Sequence, residues 1–220
     1  MRRSVGVIAL VLALTGCGDD GERALTGAAT TDAGAATHGG ESTRLHEVSA
    51  AGFSLRLPND WQPIGSPDAL AGALETLGRE NPEVERYLRA VVESELIEFF
   101  AFDPDVEGNF ATNVNVIRFP AEETPSFDEW SARVIAEAER LPTRVGEVEH
   151  SREELPAGEA LRVKYRNHFR SQGGERTVAT LQYVVVGDEH GYVLTFSTLP
   201  RQAGAYAEVF RSTAESFRIA

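Results

Sequence analysis

Residues 181–198, LQYVVVGDEHGYVLTFST, give the strongest indication of the fold class. Its two ends are rich in Val, Tyr, Leu, Phe and Thr, which favour β-strands, and between them lies Gly-Asp-Glu-His-Gly, which is typical of a turn. The pattern predicts two adjacent antiparallel strands at 176–187 and 191–198. Two earlier runs, at 145–153 and 159–170, have the same character. Because only short turns separate neighbours, the four segments are predicted to form an antiparallel meander.

Further elements are predicted outside this meander. Strands are expected at 46–50, 52–58, 96–102 and 111–119, the last two around an acidic loop. Four helices are expected: two in 66–93, one with a capping box at Ser126 and Glu129, and a closing one with an apolar stripe from Tyr206 to Phe217. Strands joined by short turns, with helices packed on them, predict an α+β fold. The predicted architecture is an α/β/α sandwich, a central antiparallel sheet flanked by helices.

The N-terminus has the layout of a secretory signal peptide, with Arg2 and Arg3 before an apolar run from Val5 to Leu14. The run is too short to span a bilayer, which takes about 20 residues. Leu14-Thr15-Gly16-Cys17 resembles the lipobox of bacterial lipoproteins. The resemblance implies cleavage after Gly16 and a diacylglycerol on Cys17, the single cysteine of the chain. An ordinary signal peptide with an incidental cysteine is the alternative.

Composition divides the chain into three predicted segments. Residues 1–16 form the lipoprotein signal peptide. Residues 17–44 hold the lipidated cysteine and a tether rich in Gly, Ala, Thr and acids, which is predicted to be disordered because it has too few apolar side chains to form a core. Residues 45–220 form one folded domain.

The chain is acidic, with a formal net charge of −13. Such a surface repels phosphate backbones, so nucleic acid is not expected to be a partner. One cysteine cannot form a disulfide within the chain, so the fold must be stabilised by its core.

The acidic loop is the candidate docking site for a partner, through Asp103, Asp105 and Glu107. Their spacing resembles the start of a calcium-binding EF-hand loop, but Val114 stands where that loop needs a bidentate Glu, so no metal is expected. A negative loop would attract a basic protein surface. The alternative is that these charges only keep a hairpin tip soluble.

Alternating charges on two neighbouring strands predict a ladder of ion pairs. The acids are Glu147, Glu149 and Glu153; the facing cations are Arg162, Lys164, Arg166, His168 and Arg170. If the turn after Leu155 sets the register, Glu149 faces Lys164 and Glu147 faces Arg166. An anion or lipid-headgroup site is the alternative to a purely structural ladder.

Four segments carry a resemblance to a known family: GFSLRLPNDW (52–61), FATNVNVIRF (110–119), LPAGEALRVKY (155–165) and 181–198. In this order they resemble the PsbP-like bacterial lipoproteins, a superfamily with the extrinsic photosystem protein PsbP, the Mog-type Ran-binding proteins and mycobacterial lipoproteins of the Lpq type. The resemblance implies an α/β/α sandwich with accessory binding roles and no shared catalytic residues.

The resulting expectation is a lipid-anchored, extracytoplasmic binding or scaffolding lipoprotein on the cell membrane. It would be an accessory to a cell-envelope assembly, with an unidentified protein partner and no cofactor. A carrier of a small apolar ligand or lipid, held between the sheet and the helices at 66–93, is the alternative. A hydrolase comes third, because no catalytic motif is visible and the chain is not expected to be an enzyme.

Overall fold

The computed structural model describes residues 42–64, 97–107, 110–120, 126–171 and 174–220. The predicted signal peptide (1–16), the lipidation site Cys17 and the helices predicted in 66–93 lie outside these residues. The predicted tether (17–44) overlaps them only at its end. There the first strand begins at Thr43, before the predicted domain boundary, because Thr43 pairs with Pro58 across a hairpin.

Ten strands and two α-helices occur in the described residues. The strands are β1 (Thr43–Val48), β2 (Phe53–Pro58), β3 (Gln62–Ile64), β4 (Ile97–Phe102), β5 (Asn113–Pro120), β6 (Arg144–Leu155), β7 (Gly158–Ser171), β8 (Gly174–Val186), β9 (His190–Thr198) and β10 (Arg218–Ile219). The helices are α1 (Phe127–Arg140) and α2 (Ala207–Ser216).

The strands form two antiparallel sheets. Seven are ordered β3-β4-β5-β9-β8-β7-β6, and three are ordered β1-β2-β10. The predicted meander is confirmed, because β6 to β9 are successive neighbours. Pairing of β9 with β5 joins the meander to the β4–β5 hairpin. The predicted first hairpin also forms, but in the smaller sheet, where β10 at the chain end pairs with β2.

Side chains on the two faces of the larger sheet form two separate cores. On β9, Val193 packs in one core while Leu194 and Phe196 pack in the other, as alternation along a strand requires. Trp130 of α1 packs in the first core, and Phe210 of α2 packs in the second together with residues of the smaller sheet. The predicted α+β sandwich, with helices flanking an antiparallel sheet, is confirmed.

The start of α1 follows from its sequence. The Ser126 hydroxyl accepts a hydrogen bond from the Glu129 amide, and the Glu129 carboxylate accepts one from the Ser126 amide. This predicted capping box satisfies two of the amides that the first turn leaves unpaired. Trp130, Val134 and Ala138 then point into the core from one side of the helix, as predicted.

A glycine on β9 makes room for an aromatic stack. Gly191 pairs with Phe119 of β5, and a Cβ at Gly191 would overlap the Phe119 ring. The ring in turn packs on Trp130, with centroids 4.5 Å apart. The absence of a side chain at Gly191 therefore lets the sheet contact α1 closely.

Candidate binding groove

A groove of about 850 Å³ lies between α2 and the β6–β8 end of the larger sheet. Its polar wall comes from β6 and β7, and the side chains are Glu147, Glu149, Glu153, Arg162, Lys164 and Arg166. Its apolar wall comes from β8, α2 and the segment before α2, and includes Leu181, Tyr183, Ala203, Ala207 and Phe210. The predicted charge ladder therefore lies along one side of a groove and not on an open face.

One predicted ion pair of the ladder is confirmed. Glu149 stands opposite Lys164, and the Lys164 Nζ donates to Glu149 Oε2 at 3.0 Å. This hydrogen bond and the Lys164 charge lower the pKa of the Glu149 carboxyl, so it is ionised at neutral pH. A second pair joins Arg162 Nε to Glu153 Oε1 at 3.5 Å. The Arg170 side chain lies outside the described part of the chain.

The other predicted pair, Glu147 with Arg166, is wrong. The register changes along β6, and Val145 stands opposite Arg166 in place of Glu147. A β-bulge accounts for the change, because it inserts extra residues into one strand of a pair. Gly146 lies in this bulge with φ of 79°, in the left-handed region that glycine adopts without strain. The Arg144 guanidinium donates to the Gly146 carbonyl and closes the bulge.

The bulge leaves Arg166 without a carboxylate directly across the strand, although its charge still acts at longer range on Glu149. Within the described ranges, no carboxylate lies at ion-pair distance from Arg166. Val145, its cross-strand neighbour, is 43% exposed. The described part of the chain exposes one other large apolar side chain to this extent, Leu45 on β1. A glycine inside a strand pattern often marks a bulge, so Gly146 was the available signal in the sequence.

The apolar wall of the groove is held in place by aromatic packing. The Phe210 ring lies 4.8 Å from that of Phe196 and 5.7 Å from that of Tyr206. Tyr183 meets Phe196 edge to face at 6.2 Å. Burial, and then the charge of Glu153, raise the pKa of the Tyr183 hydroxyl. Phe210 belongs to the apolar stripe predicted for the closing helix, but no pattern in the sequence indicated that it lies beside the charge ladder.

The acidic loop differs from its prediction at Asp103. This residue is 2% exposed, so the prediction that it presents its charge on the surface is wrong. Its carboxylate accepts a hydrogen bond from the Tyr206 hydroxyl at 2.6 Å and another from the Asp105 amide at 2.8 Å. Burial raises the pKa of Tyr206, and the Asp103 charge raises it further. Asp103 therefore ties the loop to the segment before α2.

The remaining charges of this region are partly neutralised. The Arg201 guanidinium donates to Glu107 Oε1 at 2.6 Å, and that of Arg118 donates to Glu98 Oε1 at 3.1 Å. Sequence spacing did not indicate the pair with Arg201, which lies far along the chain. Asp105 is exposed. Docking of a basic partner on Asp105 and Glu107 stays a prediction, and the field it would use is weaker than predicted.

His168 lies between a hydroxyl and a carboxylate. Its Nδ1 is 3.2 Å from Thr177 Oγ1, and its Nε2 is 3.2 Å from Glu175 Oε2. Thr177 stands directly opposite His168 on β8, and Glu175 lies diagonally to it, two residues from Thr177. The histidine and the glutamate are about half exposed. An exposed cross-strand trio of this kind has no desolvated setting to activate the hydroxyl.

The described residues contain no group of three or more His, Cys, Asp or Glu side chains that could hold a metal ion. None of their helices is long and apolar enough to cross a membrane. The helices predicted at 66–93, beside which an apolar ligand was expected, lie outside the described residues.

Solved structures share this architecture. Cyanobacterial PsbP from Synechocystis sp. PCC 6803 superposes with a TM-score of 0.50 at 13% identity, over 86% of this chain and 98% of that one. The domain has the PsbP fold. The resemblance predicted from the sequence is thus confirmed at the level of the fold.

Two other structures with this fold are similar. LpqN, involved in cell envelope biogenesis of Mycobacterium tuberculosis, has a TM-score of 0.45 at 16% identity, over 83% of this chain and 87% of LpqN. The Saccharomyces cerevisiae Ran-binding protein Mog1p has a TM-score of 0.46 at 10% identity, over 82% of this chain and 96% of Mog1p. No protein-family model matches the chain, and no curated protein matches it in sequence.

Proposed function

We propose that this chain is a lipid-anchored extracytoplasmic protein that binds a partner protein in the groove between α2 and β6–β8, as an accessory to a cell-envelope assembly. The observation that carries the proposal is the composition of the groove. It combines an apolar wall, a wall of ion pairs and an exposed apolar residue, Val145, at one end. Protein interfaces likewise combine apolar contact area with polar contacts.

The ion pairs of the groove favour binding over catalysis. A general acid or base works best with a pKa near the working pH. The pKa of Glu149 is instead lowered by Lys164, and Glu153 is paired with Arg162. Carboxylates held in this way can position a partner through charge, but they are poorly suited to transfer protons at neutral pH.

The anchor in this proposal is the lipid on Cys17. Two or three acyl chains would hold the protein on a bilayer, whereas one chain gives only marginal binding at about 0.8 kcal/mol for each buried methylene. Cys17→Ser should therefore move the protein from the detergent phase to the aqueous phase in a phase-partitioning assay. Retention of the variant in the detergent phase would contradict a Cys17 lipid anchor.

Site-specific cross-linking in intact cells tests the groove. A photo-reactive phenylalanine analogue replaces Val145 in one variant and Leu45 in the control. These side chains are equally exposed, at 43% and 44%, but Leu45 lies on the smaller sheet. The proposal expects a discrete cross-linked protein from Val145 and none from Leu45. Equal cross-linking from both positions, or none from Val145, would contradict a groove-bound partner.

A further inference from the structure

The bulge in β6 leaves one cation of the groove, Arg166, without a carboxylate at ion-pair distance among the described residues. In a regular register Glu147 would face Arg166, and the ladder would be neutralised at this point. The bulge replaces that carboxylate with the side chain of Val145. Bulges re-aim side chains and are frequent next to functional sites. The other cations of the polar wall, Arg162 and Lys164, already have carboxylate partners.

Both cross-strand neighbours of Arg166 are apolar. Val145 stands opposite it on β6, and Ala179 stands opposite it on β8. Arg166 is exposed, and because both neighbours are apolar, no side chain directly across the strands competes with an external anion for its N–H groups. Arg166 also presents several N–H groups in a fixed plane, which match the two oxygens of a carboxylate.

We infer that Arg166 binds a carboxylate side chain in an extended segment of the partner protein, with an apolar residue of that segment packed on Val145. This inference rests on the proposed function and adds the chemistry of the partner. A peptide is favoured over a fatty acid because of the polar wall. An acyl chain lying in the groove would cover the pairs Glu149–Lys164 and Glu153–Arg162 without hydrogen bonding to them, whereas a peptide backbone can hydrogen bond to both.

The test uses the full chain with Cys17→Ser and a fluorescent peptide, Ser-Leu-Glu-Val-Thr, with Ser-Leu-Gln-Val-Thr as its neutral counterpart. A charge-assisted hydrogen bond predicts that the glutamate peptide binds about tenfold more tightly in fluorescence anisotropy. Arg166→Gln should abolish this preference. The control Arg56→Gln removes the same charge from an exposed site on β2 and should keep it. Equal affinities for the two peptides would overturn the inference.

A second pair of variants, at Val145, tests whether a carboxylate placed opposite Arg166 blocks binding of the glutamate peptide. Val145→Glu places one directly opposite and should abolish the preference for the glutamate peptide, while Val145→Gln, of the same shape, should keep it. Val145 is 43% exposed, so both variants should fold. If sodium dodecanoate displaces the peptide from the protein with Arg166 but not from Arg166→Gln, the anion is a lipid carboxylate. That result would overturn the inference that the ligand is a peptide.

The proposed function is tested separately. Cross-linking from Val145 in cells requires a partner in the groove but no particular charge on it. If the cross-link forms equally in wild type and in Arg166→Gln, the inference about the carboxylate fails while the proposed function stands. If no cross-link forms, the proposed function fails, whatever the peptides show.

Discussion

Asp103→Asn should lower the free energy of unfolding by about 1.5–3 kcal/mol, the contribution of one hydrogen bond to a charged group. Asp103 and Tyr206 are 2% and 1% exposed, so water cannot replace the bond between them. The asparagine oxygen can still accept from the Asp105 amide, but its NH2 group then faces the Tyr206 hydroxyl, which cannot donate to it, so the charge-assisted bond with Tyr206 is lost. For a domain of this size, each kcal/mol shifts the melting temperature by about 2–4 °C.

The matched control is Asp105→Asn. It removes the same charge from the same loop, but the Asp105 side chain is exposed, so its cost should stay within about 0.5 kcal/mol. Urea unfolding followed by circular dichroism measures both. Because Asp103 stabilises the fold through its buried hydrogen bonds, its replacement cannot test docking. Binding of a basic partner to this loop is therefore tested with Asp105→Asn and Glu107→Gln alone, at low and high salt.

A double-mutant cycle decides whether the bond itself is responsible. Tyr206→Phe alone should cost a similar amount, since it leaves a buried carboxylate oxygen without this donor. Asp103→Asn with Tyr206→Phe should then cost less than the sum of the single changes by about 1–2 kcal/mol. Equal effects of Asp103→Asn and Asp105→Asn, or additive effects in the cycle, would refute the reasoning.

Three further predictions concern the fold. Gly191→Ala should cost about 3 kcal/mol in urea unfolding because its methyl group overlaps the Phe119 ring, and combining it with Phe119→Ala should cost less than the sum. Glu149→Lys combined with Lys164→Glu should recover most of the stability lost by either change alone. Because both side chains are largely exposed, the coupling free energy between the two positions should be about 0.2–1 kcal/mol. A coupling of zero at low salt would contradict the register. The raised pKa of Tyr206 means that the folded chain keeps a proton that the unfolded chain loses above pH 10, so stability should fall as the pH rises past 10, and less steeply in Tyr206→Phe.

The strands, the helix α1 and the α+β class were predictable from local patterns in the sequence. The strands of the meander were predicted because β-branched and aromatic residues recur between turn residues, and α1 was predicted because its capping box needs only residues three apart. The Glu149–Lys164 pair was also predictable, since the tight turn after Leu155 fixes the register nearby. All of these features depend on interactions between residues that are close in the chain.

The tertiary structure alone decided where charge is exposed and where it is buried. Asp103 is buried because it meets Tyr206, which lies 103 residues away, and no local pattern reports such a contact. The groove exists because α2, which comes late in the chain, packs on Phe196 of β9 and forms one side of it, with β6 to β8 on the other side. Arg166 has no carboxylate directly opposite it because the bulge between Val145 and Glu149 shifts the register of β6. On the far side of the bulge from the turn, each residue of β6 stands opposite a different residue of β7 from the one that the turn predicts. The neighbour of Arg166 could therefore be known only from the folded sheet.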